Sequence, residues 1–309
     1  MKTLPKPYYS TANGAAYLAD SRDLLAHKSF VGEVDLIVTS PPFALQRKKA
    51  YGNVEAAKYV AWFLDFARVF HTILKDKGSL VIDIGGSWNR GEPTRSLYHY
   101  ELLLELCKIP GYPFYLAQEF FWYNPAKLPT PAEWVTVRRE RVKDAVDCIW
   151  WLSKVPHPKA SNRKVLQPYS DSMEALLRNG YKAMLRPSGH DISTKFSKRN
   201  EGAIPSNLLQ ISNTESNSLY LRLCRQHNMK PHPARYPAGL PEFFIKMLSD
   251  EGDLVVDPFA GSNVTGEVCE RLNRKWIAVD IGEEYLKASQ FRFNGKMLPE
   301  REARKTKAR

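Results

Sequence analysis

Short, almost continuous apolar runs alternate along the chain with segments whose apolar residues recur every three or four positions. Runs this rich in β-branched and aliphatic residues are typical of strands buried on both faces, as in a parallel sheet. The runs that predict strands are 15–20, 34–40, 78–85, 114–122, 145–154, 252–259 and 275–282. Amphipathic helices are predicted at 55–75, 96–108, 240–250, 264–273 and 283–292. This alternation predicts an α/β fold with an open, doubly wound, mostly parallel sheet.

The alternation of strands and helices is lost between residues 155 and 232. This stretch is rich in Ser, Asn, Lys and Arg, and its pattern predicts a single helix, at 170–179. We interpret it as a basic insert within the α/β domain. The predicted division of the chain is 1–154, the insert at 155–231, a second half of the domain at 232–295, and a basic tail at 296–309.

The positive charge of the chain is concentrated in two segments. The net charge is +12; residues 151–232 hold 13 Lys and Arg against 5 Asp and Glu, and residues 296–309 hold 6 against 2. The rest of the chain is balanced, with 26 residues of each sign. A basic surface on a neutral scaffold favours a polyanionic partner such as nucleic acid.

Two features of the composition predict a cytoplasmic protein. No apolar run reaches the roughly 18 residues of a membrane span, and MKTLPKPYYS lacks the apolar core of a signal peptide. The four cysteines are scattered without CxxC spacing, which is typical of reduced thiols in a reducing compartment.

Candidate ligand-binding residues stand where the predicted strands end. Five of these strands end at a polar residue, namely Asp20, Ser40, Asp83, Asp257 and Asp280. A single Asp at such a position is more often a helix cap or a turn residue. Because ligands of open α/β sheets bind beyond the carboxyl ends of the strands, five such residues together favour a ligand site.

Two motifs follow these strand ends. In SPPF, at 40–43, two prolines end the strand and hold backbone carbonyls rigid, so these carbonyls are free to accept from a ligand. DPFAGSNVTG, at 257–266, is a short Gly/Ser loop leading into a helix, with Asp280 about twenty residues further on. The loop has no lysine for a triphosphate, so a phosphate-free adenosine ligand fits it better.

Together with HPARYP at 232–237, these motifs resemble the amino-methyltransferase group of DNA methyltransferases. The order of SPPF, basic insert, HPARYP and DPFAGS resembles the circularly permuted β class of that group, and the likeness spans nearly the whole chain. One position departs from the family pattern, because Asn263 stands where a glycine is usual. Asparagine tolerates left-handed backbone better than most residues, so the turn is expected to form.

The resemblance implies S-adenosylmethionine as cofactor. Asp280 is expected to accept from the ribose, and Asp20 to face the adenine amino group. The full set of cofactor-binding residues it implies is Asp20, Asp257, Phe259, Gly261, Ser262, Asn263, Asp280, His232, Pro233 and Arg235.

The resemblance also implies transfer of the methyl group to an exocyclic amino group of an extruded base. The amino lone pair is delocalised into the ring, and acceptors for both amino hydrogens favour the tetrahedral nitrogen of the transition state. The expected catalytic residues are Ser40, Pro41, Pro42, Phe43 and Asp83. Trp122, Tyr123 and Lys127 are expected to contact the target base or the DNA.

Within the family, serine at the start of the motif favours N4 of cytosine, with N6 of adenine as the alternative. Methylation of a protein or RNA amide or amine is a weaker alternative, as is a non-catalytic DNA-binding protein. The chain has no Pro-Cys pair, which argues against methylation of a ring carbon.

The expected partners are double-stranded DNA, read by the insert, and a restriction endonuclease that acts on the same DNA without a stable complex. The setting implied is the bacterial cytoplasm. Cys224, His227 and His232 suggest a metal site at first sight, but no fourth ligand is near and the chemistry needs none, so no metal is expected.

Overall fold

The computed structural model describes residues 3–44, 54–180, 199–214 and 218–294. Within these ranges the strands are β1 (Tyr9–Ser10), β2 (Gly14–Leu18), β3 (Val34–Thr39), β4 (Leu74–Ile84), β5 (Tyr115–Tyr123), β6 (Val146–Ser153), β7 (Leu208–Gln210), β8 (Leu254–Asp257) and β9 (Lys275–Asp280). The helices are α1 (Ser21–Leu25), α2 (Ala56–Ile73), α3 (Tyr98–Lys108), α4 (Asp171–Asn179), α5 (Leu219–Gln226), α6 (Gly239–Leu248), α7 (Val264–Arg271), α8 (Glu283–Ser289) and α9 (Phe291–Asn294). None of the helices described is long and apolar enough to cross a membrane.

All nine strands join one sheet in the order β1-β2-β9-β8-β3-β4-β6-β5-β7. Only β1 and β6 run against the common direction of the other seven strands. The predicted α/β class with a mostly parallel sheet is therefore confirmed. Sequence patterns did not predict β1, β7, α1 and α5. The first three have five residues or fewer, too few to show a period, and α5 lies within the stretch interpreted as a basic insert.

Helices cover both faces of the sheet around β3, in which every residue is buried. Because side chains alternate along a strand, Ile37 faces one side and Val38 the other. Ile37 belongs to a core cluster with Phe63 of α2, while Val38 lies against Phe244 of α6. This two-sided burial explains why four of the six residues of β3 are large and apolar, namely Val34, Leu36, Ile37 and Val38.

The direction of β6 decides which residues meet at the edge of the sheet. β6 pairs antiparallel with β4, so that Asp83 lies opposite Ile149. The amino end of β6 therefore lies at the carboxyl ends of the parallel strands. Asp147, the second residue of β6, is brought to the same edge as Asp83.

Residues 160–206 form a compact unit of their own, and residues 1–159 together with 207–309 form the other. The smaller unit contains α4, which Ser170 caps by accepting from the Met173 amide, and a bridge between Gln167 and Ala203. The predicted helix at 170–179 coincides with α4.

The smaller unit is shorter than the predicted insert, 155–231, because β7 joins the main sheet and α5 packs on α9. Residues 181–198 and 215–217 of that prediction, and the predicted tail 296–309, lie outside the described residues.

Candidate active site at the carboxyl edge of the sheet

A cavity of about 820 Å³ opens beyond the carboxyl ends of the parallel strands. Its volume lies within the range of small-molecule sites. The predicted site residues that line it are Asp20, Ser40, Pro41, Pro42, Phe43, Asp83, Trp122, Lys127, His232, Pro233, Arg235, Phe259, Gly261, Ser262 and Asp280. Three other predicted residues, Tyr123, Asp257 and Asn263, do not line it.

Asp257 lies beneath the cavity and joins four parts of the chain. Its Oδ1 accepts from the Thr39 hydroxyl (2.8 Å) and the Phe259 amide (3.1 Å), and its Oδ2 accepts from the hydroxyls of Thr265 (2.7 Å) and Tyr236 (3.1 Å). Burial raises the pKa of Asp257, and these four donors oppose that rise. Its carboxyl group therefore holds the loops that line the cavity.

Asp280 both lines the cavity and fixes the Gly/Ser loop. Its Oδ2 accepts from the Gly261 amide and its Oδ1 from the Gly282 amide, each at 2.7 Å. Gly261 has a φ of +51°, and a Cβ there would lie 3.1 Å from the His232 ring. Burial raises the pKa of Asp280, against the effect of the two amides. Each oxygen keeps lone-pair capacity for a ligand hydroxyl.

Asn263 adopts the left-handed backbone that the turn requires, with φ +56° and ψ +46°. Its side chain is buried and makes two hydrogen bonds. Oδ1 accepts from the Gly266 amide (3.0 Å) at the start of α7, and Nδ2 donates to the Tyr9 hydroxyl (2.8 Å). An asparagine in place of glycine therefore supplies a helix cap as well as a permitted backbone conformation.

Asp20 also lines the cavity, and its side chain caps α1. Its Oδ1 accepts from the Arg22 amide (2.9 Å), and the Arg22 guanidinium bonds both carboxylate oxygens, at 3.1 and 2.7 Å. Arg22 lowers the pKa of Asp20, so this carboxyl is a charged acceptor. The Arg22 guanidinium also lies over the Phe66 ring, which packs on Phe259 at 5.0 Å between centroids.

The SPPF loop lies at the far end of the cavity, where it is held by close packing. A Cβ on Gly85 would lie 2.5 Å from the Phe43 ring and 2.9 Å from Asp147, so only glycine leaves room there. The Tyr98 hydroxyl donates to the Gly85 carbonyl. This packing fixes Phe43 beside the ends of β4 and β6.

Two carboxyl groups and a lysine meet beside Ser40. The Lys127 ammonium lies 2.5 Å from Asp147, and the Ser40 side chain is close enough to the Asp83 carboxyl to lower its pKa. Burial, and then the charge of Asp147, raise the pKa of Asp83 to about 8, while Ser40 and Lys127 lower it. In the part of the chain described, Asp83 Oδ1 is buried without a hydrogen-bond partner, which makes its ionisation costlier.

Trp122 and two asparagines form the wall next to this cluster. The Trp122 indole donates to the Ile211 carbonyl (2.7 Å), and Asn213 Nδ2 donates to the Arg235 carbonyl (2.7 Å). Asn124 lines the cavity as well. Tyr123, next in β5, points away, as alternation along a strand requires.

Sequence patterns did not predict three residues that line the cavity, namely Asp147, Asn124 and Asn213. Asp147 begins an apolar run, and only the antiparallel direction of β6 brings it to this edge. Asn213 follows β7, whose three residues carry no readable pattern.

Each of the three residues considered as metal ligands makes another contact. Cys224 contacts Tyr220, His227 stacks on Phe291 (5.1 Å), and His232 lines the cavity. Over the described ranges, no three His, Cys, Asp or Glu residues are placed to hold a metal ion.

Comparison with known proteins gives concordant matches. The family model described as DNA methylase matches residues 34–291. The chain is 54% identical over 292 residues to the type II methyltransferase M.PvuII of Proteus hauseri, covering 93% of this chain and 86% of that protein. Its fold is similar to that of the solved PvuII DNA methyltransferase (cytosine-N4-specific), with a TM-score of 0.77 and 47% identity. The match covers 96% of this chain and 91% of that chain. The M1.HpyAVI–SAM complex shares the fold at 18% identity, with TM-score 0.51 and coverage of 91% and 100%.

We predict that Asn263→Ala destabilises the protein by about 2 to 3 kcal/mol, because alanine loses the cap and is strained at positive φ. Asn263→Gly keeps the backbone conformation and should lose less, since a glycine cap costs only a few tenths of a kcal/mol. Chemical denaturation of both variants measures the difference. Equal losses would mean that the left-handed conformation has no energetic consequence at this position.

Proposed function

The chain belongs to the DNA methylase family, and on that premise we propose that Ser40, Pro41 and Asp83 activate the N4 amino group of a cytosine extruded from double-stranded DNA. The protein is a cytosine-N4-specific DNA methyltransferase that uses S-adenosylmethionine. The 54% identity to M.PvuII across 93% of the chain carries this function.

The glycine-loop half of the cavity fits the cofactor by its chemistry. It offers two carboxylates for hydroxyl and amino donors, Asp280 and Asp20, and an aromatic surface at Phe259. Gly261 permits a close approach of backbone that a side chain would block. When bound, S-adenosylmethionine supplies an electrophilic methyl group. We assign Asp257 and Asn263 to holding the loop in shape, because neither lines the cavity.

The SPPF half of the cavity supplies acceptors for the target amino group. The Pro41 carbonyl is held by the ring of Pro42, and the Ser40 hydroxyl lies beside the Asp83 carboxyl, whose pKa it lowers. Both accept from the amino hydrogens and favour a tetrahedral nitrogen. Formation of the bond from this nitrogen to the methyl carbon would be matched by cleavage of the carbon–sulfur bond, with the demethylated cofactor as the leaving group. The nitrogen then loses one proton, which passes through Ser40 to the Asp83 carboxylate.

Phe43 and Trp122 offer faces on which the extruded base packs. The Lys127 ammonium is paired with Asp147 and lines the cavity, where we propose that it donates to the acceptor edge of cytosine. We propose that the compact unit 160–206, with the basic residues of the predicted insert, reads the DNA sequence. We further propose that methylation protects DNA from a restriction endonuclease in the bacterial cytoplasm, without a stable complex between the two proteins.

Incubation of the purified protein with S-adenosylmethionine and duplex DNA is expected to yield N4-methylcytosine. Digestion to nucleosides and mass spectrometry measure the product, and sequencing of the treated DNA maps the methylated site. N6-methyladenine as the only product would replace the cytosine assignment by adenine. Methylated protein without methylated DNA would overturn the function.

We expect Ser40→Ala to lower the single-turnover methylation rate by a factor on the order of 10² to 10⁴, with little change in cofactor or DNA affinity. Asp83→Asn should have a similar effect. Because the two groups act as one unit, the double variant should be scarcely slower than the slower single variant. Multiplicative losses would show that the residues act independently.

The rate should rise with pH, because the Asp83 carboxylate is the required form and its pKa is raised to about 8. Asp147→Asn removes the like charge and should move this rise to lower pH, by on the order of one pH unit. Lys127→Met removes the cation that lowers the pKa and should move the rise to higher pH. Single-turnover rates across pH measure both shifts, with Asp65→Asn, an exposed carboxyl on α2, as control. Shifts in the same direction would contradict this electrostatic origin.

A further inference from the structure

An exposed leucine stands at the rim of the catalytic half of the cavity. β5 and β6 are joined by residues 124–145, a connection that begins at the carboxyl edge of the sheet. Lys127 in this connection lines the cavity, and the next residue, Leu128, is 73% exposed. A single exposed apolar side chain is common on protein surfaces, so it is the place of Leu128, next to a cavity-lining residue of the catalytic half, that distinguishes it.

The backbone around Leu128 is fixed on both sides. The Lys127 amide donates to the Asn124 carbonyl (3.1 Å), and the Thr130 amide donates to the Leu128 carbonyl (2.9 Å). The Lys143 ammonium, from the returning arm of the connection, donates to the carbonyls of Pro125 (3.1 Å) and Lys127 (3.3 Å). Prolines at 125, 129 and 131 restrict the chain further. Leu128 is therefore presented by a rigid turn.

The connection that contains this turn carries charge that complements DNA, and Lys143 within it contacts the turn. The connection holds five basic residues against three acidic ones. Arg138, Arg139, Arg141 and Lys143 are all exposed. Arginine and lysine beside an exposed apolar side chain are the combination by which proteins insert wedges into a duplex while contacting its phosphates.

We propose that Leu128 inserts into the duplex at the position vacated by the target cytosine. Extrusion of a base leaves a gap in the stack, and an apolar side chain restores part of the lost contact area. Lys127 lies on the cavity side of this turn and Leu128 on its solvent side. One rigid turn then contacts both the extruded cytosine and the place it left. Leu128 acts as a positioning residue in this arrangement.

This inference rests on the proposed function, because a wedge has a role only if the base is extruded. It predicts that Leu128→Ala slows single-turnover methylation of a matched duplex about ten- to a hundredfold at saturating protein and cofactor. The slowing should shrink to within a few fold on the same duplex with an abasic site opposite the target cytosine. Loss of the pairing partner lowers the cost of extrusion and so makes the wedge less necessary.

The duplex used in these assays contains the DNA site at which the wild-type protein is found to methylate cytosine. 2-Aminopurine next to the target cytosine reports unstacking directly, and Leu128→Ala should reduce the fluorescence rise on binding. Leu128→Met, which keeps a flexible apolar side chain, should recover part of the rate. The matched control is Leu104→Ala, an exposed leucine (55%) on α3, and should behave as wild type.

Any one of three results would overturn the proposal that Leu128 inserts into the duplex. These are no slowing by Leu128→Ala, equal slowing by Leu128→Ala on the matched and abasic duplexes, or slowing by Leu104→Ala as large as that by Leu128→Ala. Because Leu128 is exposed, its replacement removes no core contacts, and circular dichroism checks that the fold is kept. Wild-type methylation in the same assay tests the proposed function separately. A wild-type protein that methylates normally alongside an unaffected Leu128→Ala variant therefore refutes the wedge alone.

Discussion

The buried carboxyl group of Asp257 is the interaction on which the geometry of the active site depends. Its four donors come from the end of β3, from the glycine loop, from α7 and from the segment that contains Tyr236. The SPPF motif follows β3 directly, so the donor from Thr39 fixes one half of the cavity to the other. Removal of this carboxyl group would leave several buried donors without partners, each costing about 1 to 3 kcal/mol.

The electrostatics of the catalytic half oppose stability. Asp83 and Asp147 are buried close together, and only one cation, Lys127, lies within the described cluster to offset them. A sheet without function would have little reason to place two carboxyl groups at neighbouring strand ends. The same repulsion that costs folding free energy makes Asp83 a better proton acceptor near neutral pH, and such perturbation is typical of active sites.

Most of the site could be predicted from sequence because its residues follow strands that are long and apolar enough to recognise. Asp280 and Ser40 are examples, since the carboxyl ends of parallel strands meet at one edge. Asp147 could not be predicted in this way, because the direction of a strand is a tertiary property that the pattern of one run does not contain. Asn213 depends on β7, which pairs with β5 although it is too short to be recognised.

The place of β3 in the sheet also determines when the protein acquires its activity during synthesis. One neighbour of β3 is β4, made soon afterwards, but the other is β8, and Thr39 lies 218 residues from its partner Asp257. Contacts this distant in sequence form late. On the ribosome, the SPPF half emerges long before the cofactor half, and the edge of β3 is unpaired in the interval. Until β8 and β9 have been made, the chain lacks Asp257 and Asp280 and cannot form the cofactor half, and an unpaired strand edge is open to aggregation.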